Sequence, residues 1–342
     1  MTGDRNAQIT RLLDRAGWQA AAQTPLAGDA SARRYLRLTL PDGRRAILMD
    51  ADPARGEDVT SFLQVGEWLA AQSLSVPDIL ARDVQAGLLL IEDFGDGLLA
   101  RRATAHPSEE AALYESAAKA LVALQEAPGP GYPPYRTAMP DLAGLAIDWY
   151  APEADAHRGD LTAAMAAALD AMPAAPSRFV HRDYHAENLV WLPSREGPRR
   201  IGLLDFQDAM TGPGEYDLAS LVHDPRRAVS DRARDNAIRT YIDGTGASAA
   251  DVATRIAVCS AQRALRILGV FARLCLRDGK LHYPSFIPAT WAVLQRDLSH
   301  PALHDLRGVV ARALPAPDAA RLSAIKARAG QMSGAPSAQV VQ

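Results

Sequence analysis

His181-Arg182-Asp183-Tyr184-His185-Ala186-Glu187-Asn188 decides how the rest of the chain is read. An Asp followed after four residues by an Asn fits the pattern H-R-D-x-x-x-x-N. Seventeen residues beyond Asn188, the apolar run Ile201-Gly202-Leu203-Leu204 ends in Asp205-Phe206-Gln207. A metal-binding Asp of the D-F-G type belongs at that place. Phosphoryl transfer asks for these residue types: a carboxylate in reach of an acceptor hydroxyl, and oxygen ligands for Mg²⁺ across nucleotide phosphates. Asp183 supplies the first; Asn188 and Asp205 supply the second. A lone H-R-D tripeptide arises by chance, and its bland reading is a buried turn whose polar groups satisfy the backbone. Joined to the Asn, an apolar strand and D-F, it is far more specific.

The 342 residues are enough for two lobes and a large core. A net charge of −3 carries no nucleic-acid footprint. Lysine occurs only at Lys119, Lys280 and Lys326, and the remaining positive charge is arginine. Cys259 and Cys275 lie sixteen residues apart in an apolar helical stretch. They lack metal-site spacing and read as free thiols in a reducing cytoplasm. Met1–Ala16 has no apolar core of a signal peptide, and no run reaches the length of a membrane span. The expectation is a cytoplasmic monomer without membrane or nucleic-acid partners.

Outward from the motif, the N-terminal third alternates between strand and helix. Asn6–Ala16 has helical spacing, and Tyr35–Leu40 and Ala46–Met49 form a hairpin around Pro41-Asp42-Gly43. Glu57–Ala71 reads as a helix with Phe62, Val65 and Leu69 on one face, and Ile79–Val84 and Leu88–Ile91 as two further strands. The fold class is therefore α+β: a small sheet lobe over 1–94, then a mainly helical lobe over 95–330, with a disordered tail at 331–342. The helices are expected at Glu109–Gln125, around Leu161–Ala171, and at Tyr216–His223, Asp231–Ile242, Ala249–Arg277, Phe286–Leu298 and Pro317–Ala329. Phe179-Val180, Leu189–Leu192 and Ile201–Leu204 are strand-like interruptions.

In this order, hairpin, hinge, catalytic loop and D-F resemble the aminoglycoside phosphotransferase superfamily, a small-molecule branch of the protein-kinase-like fold. Three stretches resemble the anomeric sugar kinases of peptidoglycan recycling more narrowly. They are Arg33-Arg34-Tyr35 leading to Ile47-Leu48-Met49-Asp50, Asp205–Ala209 with Gly212-Pro213 and Tyr216-Asp217-Leu218, and Gln262-Arg263 through Gly269–Arg273 to Arg277–Lys280. The resemblance runs from Gly28 to Trp291 and implies a two-lobed fold. It also implies ATP with Mg²⁺, and transfer to the C1 hydroxyl of N-acetylmuramate or N-acetylglucosamine. Kinases of aminoglycosides, choline or homoserine are the rivals within the class; a nucleotide-binding pseudokinase is the rival outside it. A protein kinase is disfavoured, because no long activation segment follows Asp205.

The resemblance also assigns roles. Asp183 is the base. Gly28–Arg34, with Ser31, folds over the phosphates, and Glu92 and Phe94 form the hinge, where backbone groups rather than side chains meet adenine. The usual phosphate-binding strand lysine is absent, because Met49 stands there. Arg33 or Arg34 replaces it, or both merely flank a strand on a solvated face; Glu57 is then left without its usual partner. His181 holds the loop, and His185 is either support or a phosphate contact. Asp208 points at the acceptor or caps its loop, and Asp217 anchors the catalytic loop from a helix start. Trp149 and Tyr150, with Tyr132 and Tyr135, stack on a pyranose or pack the core. Arg263 or Arg266 is available for a lactyl carboxylate.

Overall fold

The computed structural model describes residues 2–26, 33–127 and 131–332. Ser31 and the rest of 27–32 lie outside the described residues, as does the expected tail from 333 onward. The chain divides into two compact units, Met1–Leu98 with Leu189–Gln207, and Leu99–Asn188 with Asp208–Gln342.

In the first unit, helix α1 (Thr2–Ala16) precedes strands β1 (Ala22–Pro25), β2 (Arg34–Thr39) and β3 (Arg45–Asp50). Helix α2 (Thr60–Ala71) and strands β4 (Ile79–Asp83) and β5 (Leu88–Glu92) follow. The strands form one antiparallel sheet in the order β1-β2-β3-β5-β4. Continuous apolar runs suit strands covered on both faces, and the two that have them, β3 and β5, take central positions. β1 is exposed along its length and carries no strand signal of its own; pairing with β2 creates it. Leu38, Leu48, Leu88 and Leu90 face Ile9, Leu12, Leu13 and Trp18 in one apolar cluster. The two-residue period of a strand puts Tyr35, Met49 and Leu89 on the opposite face.

Four short strands come later: β6 (Arg178–Val180), β7 (Leu189–Trp191), β8 (Ile201–Leu203) and β9 (Met210–Gly212). The β7–β8 hairpin belongs to the first unit, tied by Trp191 N–H to the Gly97 carbonyl and Leu203 N–H to the Ser75 carbonyl. β6 and β9 pair within the second unit.

The second unit is helical: α3 (Leu99–Ala105), α4 (Glu110–Glu126), α5 (Tyr135–Ala143), α6 (Arg158–Asp170), α7 (Glu215–Val222) and α8 (Asp231–Thr245). The long α9 (Ala249–Leu276) follows, then α10 (Ile287–Asp297), α11 (His304–Ala313) and α12 (Ala319–Ala327). Three of these escape a reading by periodicity: α3 spans seven residues, α5 carries Pro140 inside it, and α11 carries Gly308. Ala146–Tyr150 makes a π-helical turn packed on α9. A Cβ on Gly269 of α9 would stand 2.1 Å from the Leu145 carbonyl oxygen, so glycine is what lets the two backbones meet. Gln331 and Met332, assigned to a disordered tail by sequence, are held instead. Met332 N–H donates to the Leu276 carbonyl at the end of α9. Among the described residues no helix is long and apolar enough to cross a membrane.

Candidate active site

Pairing of Val180 with Met210 lays the chain leaving β6 beside the chain entering β9. The Asp217 carboxylate, in the first turn of α7, accepts the N–H of His181 at 2.6 Å and of Arg182 at 2.9 Å. Arg182 stands at φ +75°, a left-handed conformation that costs a non-glycine residue roughly 1–2 kcal/mol. Its surroundings hold it there: its guanidinium donates to the Asp208 carbonyl at 3.1 Å and sits 5.1 Å from the Tyr135 ring centroid. Strain of this kind persists where neighbours over-determine it. Here it turns the chain so that Asp183 emerges with its side chain 29% exposed.

The Asn188 amide donates to the Asp183 carbonyl at 3.0 Å and lies 3.4 Å from His185 Nε2. With its amide hydrogens turned inward, the side-chain oxygen remains for a cation. His181 is fully buried, edge-on to Tyr184. Asp208 contributes its carbonyl to Arg182 and keeps a half-buried carboxylate.

Electrostatics set two carboxyls and an imidazole apart. Burial works against the Asp183 charge, but the guanidiniums of Arg266, Arg263 and Arg182 outweigh it and hold the carboxyl well below the usual range. Arg266 Nη1 stands 4.0 Å from Asp183 Oδ1 and donates to the Tyr216 hydroxyl at 3.2 Å. His185 is pushed down to about 3 by burial and by Arg226, against the pull of Asp224 and Asp183; its imidazole is neutral at neutral pH. Burial lifts the Asp217 carboxyl to about 7, against the two N–H donors and with Asp183 pushing the same way. A carboxylate ionised at any working pH, on a strained and pinned loop, is equipped to accept a hydrogen bond and then a proton from an acceptor hydroxyl.

The first unit carries a second constellation. Asp205, exposed and at φ +58°, follows β8 and accepts a hydrogen bond from Gln207 at 2.8 Å. Phe206 is fully buried and stacks on Phe62 of α2 at 4.7 Å, which fixes the strand end beside it. Arg33 Nε donates to Glu57 at 2.9 Å, with both side chains mostly buried. Glu57, without the usual strand lysine, thus pairs with Arg33. Tyr35 completes the group: burial raises its hydroxyl, which bonds Arg33 and senses the Asp205 charge. Met49 is buried directly opposite Tyr35 in the β2–β3 register. Arg34 goes elsewhere, sharing the buried Asp50 with Arg5 at the sheet end.

At the end of β5, Glu92 is bound by Arg195 at 2.6 Å, and the same guanidinium lies 5.1 Å from the Phe94 ring centroid. A Cβ on Gly202 would come within 2.7 Å of that ring, so the glycine seats it. Both side chains are committed, and the Glu92 N–H donates to the Asp78 carbonyl at 2.9 Å. Trp149 and Tyr150 sit in the π-turn at 5% and 1% exposure. The Tyr150 hydroxyl donates to the Pro315 carbonyl, with Arg321 over its ring. Its role is core packing. Tyr35 was missed by sequence reading, although its place two residues from Arg33 on one strand face was the available signal.

Two relatives are named N-acetylmuramate/N-acetylglucosamine kinase. The one from Caulobacter vibrioides is 34% identical, covering 92% of this chain and 98% of its own. The one from Pseudomonas aeruginosa is 33% identical, covering 86% and 90%. Among solved structures, a choline/ethanolamine kinase family protein from Mesorhizobium loti superposes with a TM-score of 0.61 at 16% identity. That match covers 90% of this chain and 98% of the other, and it speaks to the fold alone. The sequence profile described as "Phosphotransferase enzyme family" matches residues 22–252. A match of that extent, over strands, catalytic loop and D-F alike, means that the chain belongs to the phosphotransferase enzyme family.

Proposed function

We propose that this protein is an ATP- and Mg²⁺-dependent kinase of N-acetylmuramate and N-acetylglucosamine, acting at the anomeric C1 hydroxyl as a cytoplasmic monomer. The observation that carries the reaction is Asp183. It is partly exposed, kept ionised by Arg266 and its neighbours, and fixed by a loop that Asp217 pins through two N–H groups. The identity of the acceptor rests on the two relatives' names and their 34 and 33% identity over most of both chains.

Asp183 Oδ accepts the proton of the sugar hydroxyl as the C1 oxygen bonds to the γ-phosphorus. The bond from that phosphorus to the β,γ-bridging oxygen breaks, and ADP leaves with the electron pair. Asn188 and Asp205 each offer the oxygen donors that Mg²⁺ prefers, the amide through the oxygen left free and the aspartate through an exposed carboxylate. When bound, Mg²⁺ supplies charge neutralisation at the phosphates. Arg33, aimed by Glu57 and Tyr35, supplies the protein's own cation on the sheet face. Backbone groups of Glu92–Phe94 meet adenine. The Asp208 carboxylate takes a sugar hydroxyl.

The test is a coupled ADP-release assay with ATP and Mg²⁺, offering N-acetylmuramate, N-acetylglucosamine, kanamycin, choline or no acceptor. Products are followed by ³¹P NMR. An acid-labile phosphate on C1 of the amino sugars is expected. Turnover of kanamycin or choline alone would refute the acceptor, and no turnover despite ATP binding would refute the reaction.

A further inference from the structure

Helix α9 runs through the core of the second unit. From Arg255 to Leu276, every residue but Arg266, Val270 and Arg273 is buried. Their spacing of four and three residues places them on one face of the helix, which opens only along this strip. Two of the three residues are arginines. Arg266 begins the strip beside Asp183, at 4.0 Å. Arg273 lies seven residues on, about 10 Å along the helix axis at 1.5 Å per residue.

Arg273 stands apart among the cations of the open strip; Arg263 on the same helix also carries unpartnered Nε and Nη2 atoms, but it lies in the core at 2% exposure. Arg266 has Tyr216 and Asp183, and Arg277 is paired with Asp278. Arg273 has a buried Nε without a hydrogen-bond partner, and no carboxylate lies within ion-pair distance among the described residues. Burial and the like charges of Arg277 and Arg266 press against its protonation, with only Asp278 opposing them. An arginine that merely carried its head to water would keep the whole guanidinium hydrated; here the Nε is sealed without a partner while the Nη groups remain open to an anion. Such an arrangement is costly for the empty protein and is relieved by an anion.

Resting on the reading of Asp183 as the base for a C1 hydroxyl, we infer that Arg273, with Arg266 between it and Asp183, binds the lactyl carboxylate of N-acetylmuramate. On that sugar the C1 hydroxyl and the carboxylate on the C3 ether are separated by the width of the pyranose ring. The strip presents its groups in the matching order: acid, first arginine, apolar Val270, second arginine. N-acetylglucosamine has a plain hydroxyl at C3 and makes no use of Arg273. Arg273 is a specificity residue, not a catalytic one.

The experiment compares the full-length wild type with R273Q and R273K in initial-rate ADP release on both sugars. A third acceptor is N-acetylmuramate with its carboxylate converted to the carboxamide. R273Q should raise KM for N-acetylmuramate about ten-fold or more, as loss of a charge-assisted pair does. Its kcat/KM for N-acetylglucosamine should stay within about two-fold of wild type. R273K should recover part of the loss, and the carboxamide should be insensitive to R273Q. Equal losses on both sugars, or none on either, would overturn the inference. A wild type that phosphorylates neither sugar would overturn the functional reading itself and this subsite with it. Unchanged thermal melting of R273Q excludes misfolding as the cause.

Discussion

Replacing Arg33 by Ala is the sharpest perturbation of the nucleotide side. A strand lysine held by a helix glutamate normally meets the α- and β-phosphates in this class of fold, and Met49 removes that lysine. The Arg33–Glu57 pair at 2.9 Å, with side chains 12% and 16% exposed, has the same chemistry from the neighbouring strand. A charge-assisted hydrogen bond contributes roughly 1.5–3 kcal/mol, which corresponds to about ten- to 150-fold in kcat/KM for ATP. The Glu57 carboxylate, no longer opposed by Arg33, works in the same direction. Arg34→Ala is the matched control. Its side chain is 57% exposed and Asp50 keeps Arg5, so it should cost under about 1 kcal/mol of stability and leave the ATP KM alone. The assay is initial-rate ADP release against ATP concentration at saturating acceptor, with thermal melting of each variant. A folded R33A enzyme with wild-type kcat/KM for ATP refutes the reassignment. A loss carried by R34A instead means that the wrong arginine was chosen.

Other outcomes follow from the same geometry. Asp183→Asn removes proton acceptance but keeps shape, so kcat should fall about 10²- to 10⁴-fold while the melting curve is unchanged; retained kcat would remove Asp183 as the base. Gly269→Ala drives a Cβ to 2.1 Å from the Leu145 carbonyl oxygen and should destabilise by roughly 1–3 kcal/mol or more. Gly159→Ala, in open space on α6, should instead stabilise by up to about 1 kcal/mol; calorimetry of the two variants checks the sign of each. His185 is held down at about 3 when folded and near 6.5 when unfolded. The unfolded chain therefore binds the extra proton between those values. The stability that the neutral ring contributes is present above pH 6.5 and is lost as pH falls towards 3. At 1.36 kcal/mol per pH unit the full window is worth about 5 kcal/mol. Asp217, lifted to about 7, has the opposite slope between about 3.8 and 7, so the test is a difference. The Tm advantage of wild type over His185→Gln should shrink from pH 6.5 to pH 4.5, and parallel profiles would contradict the assignment.

Local signals made much of this fold legible. Residues 46–49 and 88–91 are continuous apolar runs, and they became the central strands because such runs need cover on both faces. Asp183, Asn188 and Asp205 could be named because phosphoryl transfer restricts the residue types at fixed spacing. What was not legible depends on partners distant in sequence. β1 exists only through β2, and α5 keeps helical geometry despite Pro140. Tyr150 could stack on a sugar or pack the core, and the contact that speaks for packing is between its hydroxyl and the Pro315 carbonyl, 165 residues away.

The cation on the nucleotide side shows most clearly where linear reading stops. Along the chain, Met49 is a missing lysine and Glu57 an acid without its usual partner. Across the sheet, Met49 faces Tyr35, and the two-residue strand period puts Arg33 on the face that Tyr35 shares. On the proposed reading of Arg33, the charge moves by one strand and two residues while its glutamate stays. A guanidinium reaches further than an ammonium and offers a planar fork, so it can serve phosphate from the neighbouring strand. Arg34, one residue along, points to the other side and is spent on Asp50. The choice between two adjacent arginines thus turns on strand parity, a property of pairing register that neither residue carries in its identity.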